Sequence, residues 1–246
     1  MSESIKPRLE VCMSPALLHL YDVKDSIVVI IDVLRATSTI CTALYNGATR
    51  IIPVAEVAEC VRIGQALGAI TAGERDGKIA EGLQYGNSPF EYPRPFIEGK
   101  TLVLTTTNGT KLLHMAKDAK QIITGSFPNL SAVCDYLVAQ RQPVILGCSA
   151  WKDRVNMEDT LFAGAVVNRI RDHFQVNCDS ALLAEGAYLA GKDNLFEFMR
   201  GATHFKRLFG FGLEGDIRYC LTPDGANVLP RLINNELVAY RGQEGM

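Results

Sequence analysis

One arrangement recurs three times along this chain. A short apolar run leads into a loop rich in Ser, Thr and other polar residues, and a helical pattern follows. The first copy runs from Ser26 to Ile31, continues as Asp32 to Ser38, and enters a helix predicted over about Thr39–Tyr45. The second has Thr101–Leu104, then Thr105–Thr110, then a helix reaching Ala116. The third has Val144–Leu146, the loop Gly147–Asn156, and a helix from Glu158 to about Phe174. A strand that is apolar at every position is buried on both faces, so helices must cover both sides of its sheet. This predicts an α/β fold, three layers α/β/α around a mostly parallel or mixed sheet. The copies share an order of elements, not a repeated sequence.

The intervening segments fit the same scheme. Arg50–Val54, Ala69–Ala72 and Gln121–Thr124 read as strands, and Val57–Leu67 and Asn129–Arg141 as helices. Asp76–Gly99 carries Gly77, Gly82, Gly86 and Gly99 with Pro89, Pro93 and Pro95, so it reads as a long loop with little regular structure, of the kind that usually has a function. From Asp179 to Tyr240 the pattern is mainly helical, with a turn at Thr222–Gly225. A chain of 246 residues without a low-complexity linker suits a single domain over 1–246, or two closely packed α/β subdomains.

Charge and cysteine usage narrow the function. The formal net charge is −2, which supplies no basic field for nucleic acid or an anionic membrane. A small anionic substrate must therefore be held by a few local donors. Residues 1–10 carry mixed charge and do not form a signal peptide, and Ile27–Ile31, the longest apolar run, is too short to span a bilayer. Seven cysteines with no C-x-x-C pair indicate neither a disulfide framework nor a zinc cluster. A cytoplasmic location is expected, and a chain this apolar is compatible with a homodimer.

Ligands of open α/β sheets bind beyond the carboxyl ends of strands, so the three polar loops are expected to face one crevice. In the first loop, Asp32 can ligate Mg²⁺ or steer a water, Arg35 can grip a phosphate or sulfonate, and Thr37 and Ser38 start a helix whose free N–H groups favour an anion. The alternative is a pair of helix caps and a surface charge. In the second loop, Thr105, Thr106, Thr107, Asn108, Gly109 and Thr110 offer a neutral cradle for oxyanions, or an ordinary Asn-Gly turn. In the third, Glu158 and Asp159 either complement a helix dipole or ligate a divalent metal. Glu74 and Arg75 add a carboxylate and a guanidinium after another short strand. Asn87 and Ser88 add polar groups in the long loop. His204, near Lys206 and Arg207, either helps bind an acidic substrate or marks a solvated helix start. Cys148 and Arg154 have the C-x₅-R spacing of cysteine-dependent phosphatases, but Ser149–Asp153 holds no glycine to bring amides round a phosphate, and no Ser or Thr follows Arg154.

Taken in order, Ile31–Thr39, Ala72–Arg75, Gly86–Pro89, Thr105–Thr110, Glu158–Thr160 with Ala163-Gly164, His204–Leu208 and Asp216–Cys220 resemble the 2-phosphosulfolactate phosphatase (ComB-like) family. The resemblance implies an α/β/α fold and Mg²⁺-dependent hydrolysis of (2R)-O-phospho-3-sulfolactate to 3-sulfolactate and phosphate, a step towards coenzyme M in methanogens. It implies that Mg²⁺ is held by some of Asp32, Glu74, Glu158 and Asp159, that Arg35 and Arg75 hold anionic groups, and that Asp32 activates water or forms a phospho-enzyme. One segment departs: the family often has a glycine-bearing loop before Glu158, where this chain has Trp151–Asn156. Two rival expectations stand beside this one, a metal-independent phosphatase using Cys148 and a non-catalytic binding protein for small anionic metabolites.

Overall fold

The apolar run Ile27–Ile31 forms a strand buried at all five positions in the structure, a computed structural model that describes residues 6–75, 78–106 and 109–240. The strands are β1 (Leu9–Cys12), β2 (Ile27–Ile31), β3 (Arg50–Val54), β4 (Ile70–Arg75), β5 (Lys78–Ile79), β6 (Thr101–Thr105), β7 (Gln121–Gly125), β8 (Val144–Cys148), β9 (Leu229–Ile233) and β10 (Glu236–Tyr240). The α-helices are α1 (Ala36–Tyr45), α2 (Val57–Leu67), α3 (Arg94–Ile97), α4 (Gly109–Met115), α5 (Leu130–Gln140), α6 (Met157–Ile170), α7 (Asp179–Gly191), α8 (Leu195–Phe198), α9 (Thr203–Gly210) and α10 (Glu214–Cys220).

The ten strands form one mixed sheet in the order β1-β8-β2-β7-β9-β10-β3-β6-β4-β5. It contains two parallel blocks, β1-β8-β2-β7 and β3-β6-β4. Between them lies the antiparallel hairpin β9–β10, which meets β7 at Arg231 opposite Ile123 and β3 at Leu237 opposite Ile51. Three antiparallel steps separate the blocks, so their strands run in opposite directions. Common strand polarity therefore does not bring the loops after β2 and β6 together, contrary to the simple open-sheet expectation.

An exchange of helices does. α1 leaves β2 in the first block, yet Ile40, Ala43 and Leu44 pack with Ile51, Leu102, Leu104 and Leu237 of the second block and hairpin. α4 leaves β6 in the second block, yet Leu112 and Ala116 pack with Val28, Ile30, Ile122 and Ile145 of the first. The alternate residues Ile27, Val29 and Ile31 face the other way, into a core closed by α5, α6 and α7. α2 covers the remaining face of the second block through Cys60 against Val54 and Val103. Period-two alternation within apolar strands thus gives each block a helix layer on both sides.

The tail differs from its helical expectation. Its last described segment is the β9–β10 hairpin, turned by Asn234 and Asn235 at φ 51° and 64°. Asparagine tolerates the left-handed region that two-residue hairpin turns require, and that dipeptide was the available signal. α1 also begins at Ala36, three residues before the predicted start. The long loop contains β5, a 3₁₀ turn at Pro89–Glu91 and α3, and is otherwise irregular. Among the described residues no helix is long and apolar enough to cross a membrane.

The sheet's main helix layer depends on one close approach. A Cβ at Gly164 of α6 would lie 2.0 Å from the Ala184 carbonyl oxygen of α7, a backbone atom that cannot swing aside. Gly164→Ala is expected to lower stability by about 3 kcal/mol. Gly186→Ala, with open space around it, serves as the control and should gain about 0.5–1 kcal/mol. Urea midpoints of the two variants check this; equal midpoints would mean that α6 and α7 do not pack this closely.

Candidate active site

The crossed helices place the starts of α1 and α4 at the seam between the blocks. A Cβ built on Gly109 would lie 3.1 Å from Asp32 Oδ2, so a small residue at the start of α4 makes room for this carboxylate. Thr107 and Asn108, expected in the same cradle, lie outside the described residues. Thr110 turns inward on its own helix start, its hydroxyl donating to the Thr106 carbonyl.

The hydroxyls at the start of α1 serve its backbone. Thr37 Oγ1 accepts the Asp32 N–H, Ser38 Oγ donates to the Val33 carbonyl, and Thr39 Oγ1 donates to the Asn87 carbonyl, which ties in the long loop. Ser88 is a cap: its hydroxyl accepts the Phe90 N–H, while the Glu91 carboxylate accepts N–H groups from Gly86 and Ser88. Asn87 is buried and its Oδ1 has no partner among the described residues.

Two acids at the start of α6 divide their work. Asp159 is fully buried; its two oxygens accept the Val33 N–H at 2.9 Å and the Ala150 N–H at 3.2 Å, fastening the loops after β2 and β8 to one helix. Glu158 is also fully buried, with Oε1 2.5 Å from His204 Nδ1 and Oε2 without a partner among the described residues. Burial pushes the Asp32 carboxyl up to about 6; His204 opposes the shift, while the charges of Glu74 and Glu158 add to it. Burial, then Glu158 and Asp32, hold Asp159 well above the carboxylate range. Burial alone would lower the His204 imidazole, but its hydrogen bond to Glu158 and the charges of Glu158 and Asp32 outweigh that and raise it.

Mutually raised carboxyls are what a cation relieves, and a buried carboxylate oxygen without a donor calls for an explanation. No group of three or more His, Cys, Asp or Glu side chains among the described residues is arranged to hold a metal ion. Mg²⁺, however, commonly uses one or two carboxylates and completes its shell with water and phosphate oxygens. Asp32 and Glu158 Oε2 fit that pattern. Asp159, with both oxygens on backbone amides, is the least available of the four expected ligands.

The two arginines have different settings. Arg35 is buried and forms an ion pair through Nη1 with Asp216 Oδ2 of α10, also buried. Arg75 donates to the Glu74 and Ala55 carbonyls and to Thr105 Oγ1, clipping the ends of the second block together.

The loop after β8 closes the site's other side. Trp151 and Arg154 exchange backbone hydrogen bonds around Lys152 and Asp153, both left-handed at φ 52° and 59°, and Ala150 is left-handed at φ 59°. These are positions where glycine fits without penalty, which accounts for the glycine-bearing loop expected at this place. Lys152→Gly is expected to be neutral to stabilising by about 1 kcal/mol, because relief of the left-handed strain offsets the entropy of the unfolded chain. A thermal melt checks the sign. Asp153 anchors the turn to α4 through Lys111 at 2.7 and 2.9 Å. The Cys148 rival is corrected here. Its thiol is fully buried, and burial followed by the charge of Asp159 pushes it well above its ordinary value, away from the thiolate that nucleophilic attack requires.

Asp216 as the partner of Arg35, and the Trp151–His204 stack at 6.3 Å and 9°, were not identified from sequence. A carboxylate near the basic segment after His204 was the only available hint.

The sequence profile of a family described as 2-phosphosulpholactate phosphatase matches residues 12–235. A Thermotoga maritima protein named "Probable 2-phosphosulfolactate phosphatase" is 40% identical over 210 residues, 85% of this chain and 90% of the relative. Proteins of the same name from Caldanaerobacter subterraneus subsp. tengcongensis and Clostridium perfringens are 36% identical over 219 residues and 32% identical over 236 residues. They cover 87% and 94% of this chain, and 90% and 95% of the relatives.

Proposed function

The chain belongs to the 2-phosphosulpholactate phosphatase family, and from that premise we propose that it is a phosphoric monoester hydrolase converting (2R)-O-phospho-3-sulfolactate to 3-sulfolactate and phosphate, with Mg²⁺. The observation that supports this best is the seam itself. It gathers Asp32, the Glu158–His204 pair and the Arg35–Asp216 pair around the starts of two crossed helices. A cytoplasmic location and a part in supplying sulfolactate for coenzyme M belong to the same reading.

In this reading Asp32 and Glu158, with Glu74 nearby in the electrostatics of Asp32, would hold the cation. Bound Mg²⁺ supplies a Lewis acid that neutralises charge on phosphoryl oxygens. Arg35, held by Asp216, presents its remaining N–H donors to the transferring group. In the same reading Asp32 orients the attacking water or forms a phospho-enzyme.

The test is phosphate release from 2-phosphosulfolactate and from 2-phospholactate, each with Mg²⁺ and with a chelator. Mg²⁺-dependent release that favours the sulfonated compound is expected. Release that survives chelation overturns the metal assignment, and binding without release favours the binding-protein alternative. Independently of turnover, Mg²⁺ is expected to raise the thermal midpoint more at pH 8 than at pH 5.5, because the Asp32 carboxyl, held up to about 6, must lose its proton to ligate.

A further inference from the structure

The outer face of α7 holds no charge. From Ser180 to Gly191 the helix has one charged side chain, Glu185, and that one is buried against Asn168 and Arg171. Turned outward instead are Leu182, Leu183 and Leu189, exposed by 49%, 69% and 44%, with Gly186 and Ala190 among them. Three of the six exposed leucines among the described residues thus stand on one helix. α2 shows the ordinary pattern, with Glu59, Arg62 and Gln65 at its exposed positions. A helix that is apolar on its outer side as well as its inner side belongs under cover.

The apolar surface runs on beyond α7. On one flank Ala187 lines a cavity together with Val155 and Met157, which are exposed by 59% and 38%. At the far end the Phe198 ring lies against Gly191 and is 38% exposed. Together these groups present on the order of 500 Å² of apolar surface, the upper end of what a monomer leaves in one patch. A standard interface covers about 800 Å² on each partner, about 65% of it apolar in a homodimer, so the patch matches one half of a stable dimer.

Charge decides which partner fits. A two-fold contact sets a surface against its own copy, so a patch of one sign would repel itself and an uncharged one does not. The two ends of α7 are of opposite sign, Asp179 at its start and Lys192 just past its end. Both are exposed and neither is in an ion pair among the described residues. They stand about 20 Å apart along the helix. We propose that this face binds a second copy of the chain, with the two α7 helices antiparallel about a two-fold axis. Leu182 then meets the partner's Leu189, and Asp179 meets the partner's Lys192. Both pairs share one centre, between Glu185 and Gly186, as a single two-fold axis requires.

The experiment is sedimentation velocity on the full-length protein over about 0.1–100 µM, a range that resolves dissociation constants from sub-micromolar to tens of micromolar. It is repeated on Leu183→Glu, Asp179→Lys, Lys192→Asp and the double charge exchange, each checked for native circular dichroism. The wild type is expected to sediment as a dimer. Leu183→Glu, at a position exposed in the single chain, is expected to fold and to weaken association about a hundredfold or more. Each single charge change should weaken it about tenfold, and the exchange of both should return it to within about twofold of the wild type. The double variant opposes the helix dipole most, so its recovery cannot come from a sturdier helix. A dimer indifferent to Leu183→Glu overturns the interface, and a double variant no better than the singles overturns the antiparallel pairing. A wild type that stays monomeric overturns the proposal. If that monomer floats with vesicles of anionic phospholipid, the face belongs to a lipid surface; if it does not, the face belongs to a different protein.

Discussion

Arg35→Ala is expected to lose roughly a hundredfold or more in kcat/KM and, at the same time, about 3–5 kcal/mol of stability. In the proposed reading the catalytic loss follows from removing a planar cation that would meet the developing negative charge. The stability loss has a separate cause: Asp216, also buried, would be left as an uncompensated charge. The two effects are separable. Asp216→Asn should recover stability on the Arg35→Ala background, because the stranded charge is gone, but should not recover turnover. The pair in a double-mutant cycle is therefore expected to be strongly non-additive in urea midpoint and dominated by Arg35 in rate. Arg35→Ala with near-normal turnover would show that this guanidinium is a structural tie and nothing more.

Asp32→Asn is expected to lower turnover by about two orders of magnitude or more while leaving the protein as stable or more stable at neutral pH. The sign follows from its environment. The folded-state carboxyl is raised to about 6 from 3.8, so the native protein holds this proton more tightly than the unfolded chain. That contribution is fully present below about pH 4, declines as pH rises through 6, and is absent above. An amide, which carries no charge, escapes the loss. Thermal midpoints of both proteins between pH 4.5 and 8 should show the wild type falling relative to Asp32→Asn as pH rises. Parallel curves would place Asp32 outside the repulsive carboxylate group, and unimpaired turnover with Mg²⁺ present would remove it from the chemistry.

Much of the fold was legible because burial writes itself into apolar runs. β2, β6 and β8, the loops that follow them, and the helices beyond were readable within a few residues. The missing parts depend on pairings between remote segments. Arg35 meets Asp216 across 181 residues, and Glu158 meets His204 across 46. No local period encodes either. The β9–β10 hairpin was hidden because Leu229–Tyr240 mixes residues compatible with helix and strand; its placement between β7 and β3 decides the matter. At the site, residue types were readable but not their engagements. Thr37 and Ser38 look like anion donors in sequence, and in the fold their hydroxyls are bonded to the backbone of their own loop.

The exchange of α1 and α4 has a consequence for how this molecule comes apart. Each parallel block borrows one of its covering helices from the other, so separating the halves would strip an apolar face from both at once. Neither half is then a free-standing foldable fragment, and loss of either should propagate to the other in a single cooperative step. Because Asp32 sits where the borrowed helices begin, the proposed site is expected to form and to be lost together with the fold.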